Sequence, residues 1–232
     1  MGAPVSRLFE PDVVTLRAGT ADRLGADGYL PLPGLITADG LALLRREAAG
    51  LEALARRRDF AMACMDDSPR HMTTLGGQII AEASKAIPAL YRDPGLLDVV
   101  SRAAGEPVSE VDDPVERHVL NILHRAGDTH GAHTDDHPYA LVLFLEAPHD
   151  PADGGLVHFL PHAVSLRDLD SVDDARTAHH RPGDAYLLRS DTTAHRVTPL
   201  TRPGLRRTVL NFAYTTPAAR PLHTDSAAEL YT

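Results

Sequence analysis

Apolar residues change their spacing along this chain, and the change splits it into two textures. In the first, Leu41, Leu44, Ala48, Leu51 and Leu54 or Ala55 recur at helical intervals. Thr37 stands where an N-cap belongs, and the periodicity runs through Arg57. Residues 28–34 form an extended, proline-broken lead-in. Residues 84–92 predict a second helix, broken at Pro94, and 96–104 a third, stopped by Gly105. From about Val115, short runs of β-formers alternate with Gly, Pro and Asp clusters. They cover 117–124, 139–146, 156–160, 185–189 and 208–214. Strands this short predict a sandwich or jelly roll, and the acidic stretch 165–182 a surface loop. The expected class is α+β. Residues 1–232 read as one domain, with helical support over 1–105, a jelly-roll core over about 106–216, and a tail over 217–232.

Composition narrows the chemistry. A formal net charge of −9 argues against nucleic acid or an anionic membrane as the main partner. Cys64, the sole cysteine, excludes an intrachain disulfide and any cysteine-based zinc or iron–sulfur centre. Residues 1–10 lack the basic-then-apolar pattern of a secretory leader, and no apolar run is long enough to cross a bilayer. The expectation is a cytoplasmic protein with a small-molecule partner.

Three residues stand out. His133-Thr134-Asp135 follows a Gly-containing turn and precedes a strand, and His195 lies just past another. Two imidazoles and one carboxylate can take one face of Fe(II), leaving positions open for a bidentate co-substrate and O₂. In a chain with 13 histidines such a triplet arises by chance, and a second copy, His223-Thr224-Asp225, has no flanking strand. Context separates the two. His124 to Asp128 precedes the first copy, Gly154-Gly155 opens the next strand, and Arg206-Arg207 opens the last. A guanidinium there can grip the far carboxylate of a keto-diacid. Spacing admits either arginine. Arg206 shares a strand face with Thr208, Leu210 and Phe212, and Arg207 with Val209, Asn211 and Ala213. The small or polar face suits a site, which favours Arg207.

With these features in order, residues 115–215 resemble the iron(II)/2-oxoglutarate dioxygenase superfamily, which implies a double-stranded β-helix and bound Fe(II) and 2-oxoglutarate. It also implies His133, Asp135 and His195 as metal ligands, and Arg207 or Arg206 as the 2-oxoglutarate anchor, aided by His124 or Thr208. A narrower likeness joins Asp67 to Met72, Glu116, His130 to Asp136 and Asn211. That set resembles the radical halogenases of free lysine and similar amino acids, with their hydroxylase relatives. The likeness implies an amino-acid pocket lined by Arg70, Glu116, His130, Asp136 and Asn211. A zwitterion needs a cation for its carboxylate and anions for its ammonium groups, which Arg70, Glu116 and Asp136 can supply. The halogenases carry glycine where this chain has Asp135, and the gap there admits halide. A carboxylate in that place implies hydroxylation, with succinate and CO₂ as co-products. The chain has no tryptophan, whereas the lysine-acting relatives set C-terminal tryptophan against the substrate, so lysine itself is the less secure choice among cationic or polar amino acids.

Three rival readings remain open at this stage. A dioxygenase of a carrier-tethered or larger natural product would share every metal feature. A non-catalytic cupin-like protein would share the fold but require no arginine beyond the distal histidine. A zinc hydrolase would use the same ligands with Glu116 or Asp136 as its base.

Overall fold

The computed structural model describes residues 9, 16, 18–219 and 225–232. The first helix is α1 (Thr20–Asp27), and the lead-in forms a short strand, β1 (Tyr29–Pro31). Helix α2 (Ala38–Leu51) starts where Thr37 accepts the Gly40 N–H at 2.9 Å. It stops earlier than its apolar period suggests. After a 3₁₀ turn, Arg56–Met62 forms strand β2, hairpinned to β3 (Ser68–Leu75). That hairpin corrects the expectation of purely helical support over residues 1–105. Its Arg-Arg-Arg-Asp start resembles the polar end of a helix, yet β2 is an edge strand whose exposed side chains can stay charged.

Helices α3 (Gly77–Ala83), α4 (Ala86–Tyr91) and α5 (Pro94–Ala104) follow. Asp93 caps α5 through the Gly95 and Leu96 N–H groups, with Pro94 in its first turn. The remaining strands are β4 (Ser109–Glu110), β5 (His118–Leu123), β6 (Thr129–His133), β7 (Tyr139–Glu146) and β8 (Val157–Pro161). Beyond them lie β9 (Arg176–Ala178), β10 (Ala185–Arg189), β11 (Thr193–Val197) and β12 (Arg207–Thr215). The acidic crossing is not wholly a loop, because it carries a short helix, α6 (Asp168–Ser171), and β9. In the tail, Ser226–Tyr231 is helix α7.

All the ladders are antiparallel, and the strands join in the order β1-β10-β7-β12-β5-β3-β6-β11-β8-β9. The sheet curls because β3 changes partner along its length. Thr73 to Leu75 pair with β5, while Arg70 and His71 pair with β6. The result is the jelly-roll, double-stranded β-helix form of an α+β fold. Alternation decides what lies on each side of it. Leu141, Leu143 and Leu145 of β7 join Leu210 and Phe212 of β12 in the layer under the helices. Val142, Phe144 and Val209, one residue out of phase, pack inside the curl. Each fully buried aliphatic side chain contributes about 1.5–3 kcal/mol. Among the described residues no helix is long and apolar enough to cross a membrane.

The Gly154-Gly155 pair has a structural reason. Gly154 has φ 82° and ψ −159°, a region that residues with a side chain avoid, and a Cβ there would collide with the Pro199 carbonyl oxygen. Gly154→Ala is expected to cost about 3 kcal/mol or more, read as a lower urea midpoint at unchanged slope. Gly155 lies against Arg207, whose Cδ would stand 3.3 Å from an added Cβ.

Candidate metal centre

His133 and His195 are cross-strand partners, one ending β6 and the other central in β11. Paired residues on neighbouring strands project to the same side, so the register alone brings the imidazoles together. Their ring centroids are 4.0 Å apart. His133 donates its Nδ1–H to the Gly131 carbonyl at 2.8 Å, and His195 its own to Thr193 at 3.0 Å. Both rings thereby turn a bare Nε2 toward one point. Asp135 sits just past β6, its backbone N–H bonded to the Ser190 carbonyl at 2.9 Å. Its Oδ1 is 3.5 Å from His133 Nε2 and 3.7 Å from His195 Nε2. All three ligand atoms lie within 4.8 Å of one another, a spacing one divalent ion can bridge.

The electrostatics fit a cation. Burial, then the neighbouring His130, hold His133 well below the usual histidine pKa, so its nitrogen is available. Burial pushes the Asp135 carboxyl up, against the pull of His195, a cost that a bound ion would relieve. In the second triplet, His223 and Thr224 lie outside the described residues.

Behind the triad, the structure separates the two arginines. Arg207 is 3% exposed, and no carboxylate lies within 4.0 Å of it among the described residues. Its Nε is buried without a partner, and its guanidinium carbon stands 4.9 Å over the Phe144 ring. Burial pulls its pKa down to about 10. A guanidinium so placed is an anion site. Arg206 points the other way, bonding Glu146 and Glu52 at 2.6 Å each, and Thr208 donates to the same Glu146 carboxylate at 2.5 Å. Arg206 and Thr208 thus belong to an outer ion-pair network, which corrects their expected place beside a co-substrate. Strand alternation is the cause. His124 makes no hydrogen bond with Arg207 among the described residues; its backbone N–H goes to Asp128 at 2.8 Å. Tyr186 on β10, which periodicity does not single out, is 3% exposed and feels the Arg207 charge.

On the other side of the triad lies a cavity of about 60 Å³. Arg70, Glu116, His130, Asp136 and Asn211 all line it, along with His133 and Asp135. Arg70 is fully buried and, among the described residues, donates to neutral groups, Ser68 Oγ at 2.8 Å, two backbone carbonyls and the Met62 Sδ at 3.4 Å. Burial lowers its pKa to about 10. His130 stacks on His133 with centroids 4.0 Å apart and leaves a buried Nε2 without partner, as does Asn211 Oδ1. Glu116 is bonded to His137 Nε2 at 2.9 Å. Burial opposes charge on that ring, but the Glu116 bond carries its pKa above the ordinary value. Helix α7 covers the cavity with Leu230 and Tyr231, and Asn121 donates to the Tyr231 hydroxyl at 3.4 Å.

A family model described as HalD, Halogenase D, matches residues 15–231. No curated protein matches the chain. Among solved structures, the epimerase SnoN in complex with Fe³⁺, alpha ketoglutarate and nogalamycin RO is 17% identical, with a TM-score of 0.63 over 92% of this chain and 94% of its own. AviO1 from Streptomyces viridochromogenes Tue57 is 18% identical, with a TM-score of 0.66 over 90% and 98%. HygX from Streptomyces hygroscopicus, with nickel and 2-oxoglutarate bound, is 14% identical, with a TM-score of 0.64 over 91% and 92%. At these identities the likeness is one of fold.

Proposed function

The chain belongs to the Halogenase D family, and we propose that it is an Fe(II)- and 2-oxoglutarate-dependent oxygenase that hydroxylates a free amino acid. The observation that carries this reading is the convergence of His133, Asp135 and His195 within 4.8 Å. Two imidazoles and a carboxylate at that spacing fit ferrous iron. The buried, uncompensated Arg207 fits the distal carboxylate of 2-oxoglutarate. Iron and 2-oxoglutarate, when bound, supply the oxidising power of O₂ that converts a C–H bond to C–OH, with succinate and CO₂ as co-products.

The chain's own residues supply position. Nδ1 bonds to Gly131 and Thr193 lock the two ligand rings before any ion arrives. Arg70, held by Ser68 and the Pro69 carbonyl, presents a fixed fork to a substrate carboxylate. Asn211 Oδ1 and His130 Nε2 offer polar contacts with no internal partner. Leu230 and Tyr231 form part of the cavity wall.

Asp135 occupies the place where the resembling halogenases carry glycine, which supports hydroxylation over halogen transfer. Loading with iron, 2-oxoglutarate and a panel of free amino acids under argon, then admitting oxygen, tests the reading by mass spectrometry. Substrate-dependent succinate and a product heavier by one oxygen are expected. Asp135→Gly in chloride buffer is expected to yield some chlorinated product. Chlorinated product from the unaltered chain would overturn the hydroxylase reading.

A further inference from the structure

On the reading that Arg207 takes the distal carboxylate of 2-oxoglutarate, one guanidinium leaves that carboxylate short of donors. A carboxylate has about four lone-pair sites, and a guanidinium fork fills two of them. In a buried site the others are costly unless a second donor meets them. Three buried side chains feel the Arg207 charge: His130, His180 and Tyr186. His130 stacks on the ligand His133 and lines the substrate cavity. His180 lies on the Phe144 ring, centroids 4.3 Å apart, and its Nε2 is 3.0 Å from the Tyr29 hydroxyl. Tyr186 packs in the same cluster, its centroid 5.9 Å from Phe144, 5.1 Å from His180 and 5.0 Å from Tyr29. Unlike that of Tyr29, its hydroxyl makes no hydrogen bond among the described residues. Strand register sets it on the inner face. Tyr186 pairs with Val142 on β7, and Val142 with Asn211, which shares a face of β12 with Arg207. The Asp135 charge also acts on Tyr186, so the ring is within electrostatic reach of both the triad and Arg207. Burial pushes the phenol pKa up, and the hydroxyl keeps its proton as a donor.

We propose that Tyr186 is the second donor to the distal carboxylate of 2-oxoglutarate, its hydroxyl completing the grip that Arg207 begins. Arg207 brings charge and a planar fork, and Tyr186 brings one directed O–H. Both rest against the Phe144 ring, over which the guanidinium carbon stands at 4.9 Å. Sequence spacing offers His124 or Thr208 for this role, but Thr208 is bonded to Glu146. Tyr186 comes instead from β10, a strand that holds neither the ligands nor the arginine pair. Its contact is at the end of the co-substrate remote from the metal. Losing the hydroxyl therefore weakens binding without changing how the keto-acid end meets iron.

Tyr186→Phe removes the hydroxyl and keeps the ring, and Tyr29→Phe controls for looser packing of the aromatic cluster. Calorimetry under argon, with Mn(II) in place of iron, reads the dissociation constant of 2-oxoglutarate. The charge-transfer absorption of the Fe(II) complex at saturating 2-oxoglutarate reads the metal end. Tyr186→Phe is expected to raise the dissociation constant about tenfold or more, the effect of one lost donor to a charged acceptor. Its absorption band should keep the parent's position, and its melting temperature should be no lower, since a buried hydroxyl without a partner is gone. Tyr29→Phe is expected to stay within about threefold of the parent for 2-oxoglutarate. Unchanged affinity in Tyr186→Phe overturns the inference and leaves the co-substrate reading standing. So does an equal loss in Tyr29→Phe, which marks the effect as packing, or a shifted band, which puts the hydroxyl at the metal end. If the unaltered protein binds no 2-oxoglutarate, the co-substrate reading falls and the inference with it.

Discussion

Asp135→Ala and His195→Ala are each expected to lower succinate formation at least roughly 100-fold, because changes even one shell outside a metal's ligands cost about 10–100-fold in affinity or activity. The effect should appear first in metal binding. The two histidines stand opposite each other across β6 and β11, so each keeps its place when the third ligand is removed. What is lost is the carboxylate that lies 3.5 and 3.7 Å from their Nε2 atoms and supplies the site's negative charge. Calorimetry with Mn(II) in place of iron separates this from a defect in turnover. Thermal melting without metal checks that the variants still fold. Asp135→Ala should melt no lower than the parent, since it removes a buried carboxyl that burial already disfavours as an anion. Near-normal Mn(II) affinity in either variant would show the ligand assignment to be wrong.

Arg207→Met should separate stability from binding. A guanidinium 3% exposed, with an unpartnered Nε and only aromatic neighbours for compensation, is costly to the protein by itself. Replacing an uncompensated buried charge by an apolar side chain of similar volume is expected to raise the stability of the ligand-free protein by about 1–3 kcal/mol. The same change removes a bidentate, charge-assisted grip, so the dissociation constant for 2-oxoglutarate should rise by at least about 100-fold. Arg206→Met is the control. Its guanidinium is about one-third exposed and bonded to Glu52 and Glu146, so its loss should cost about 1 kcal/mol or less and leave 2-oxoglutarate affinity intact. If Arg206→Met loses 2-oxoglutarate and Arg207→Met keeps it, the assignment is reversed.

The strands most legible in the sequence are those buried on both faces. Residues 139–146 and 185–189 are continuous apolar runs, and the structure returns them as β7 and β10 with the same limits. The ligand strands were harder to read. Thr129–His133 and Thr193–Val197 carry the metal-site histidines among small and polar residues. A strand that spends its inward positions on chemistry loses the alternation that reveals strands. Which of Arg206 and Arg207 turns inward was legible, because it depends only on which face of one strand each occupies. The Glu116–His137 bond was not, since it joins the segment before β5 to the turn after β6 and depends on how those turns fold. What sets the place of Tyr231 was not legible either. Its position over the cavity comes from α7 docking against β3, where Thr74 donates to the Leu230 carbonyl.

The seam made by β3 has a practical consequence for redesign. One strand is stitched into both halves of the curl and also carries Arg70, opposite His130, the neighbour of a metal ligand. Retuning the molecule toward new substrates is therefore safest by exchanging side chains at the cavity wall. A proline or an inserted residue between Arg70 and Thr73 would slip the stitch, and the spacing of the ferrous pocket would drift along with the part being retuned.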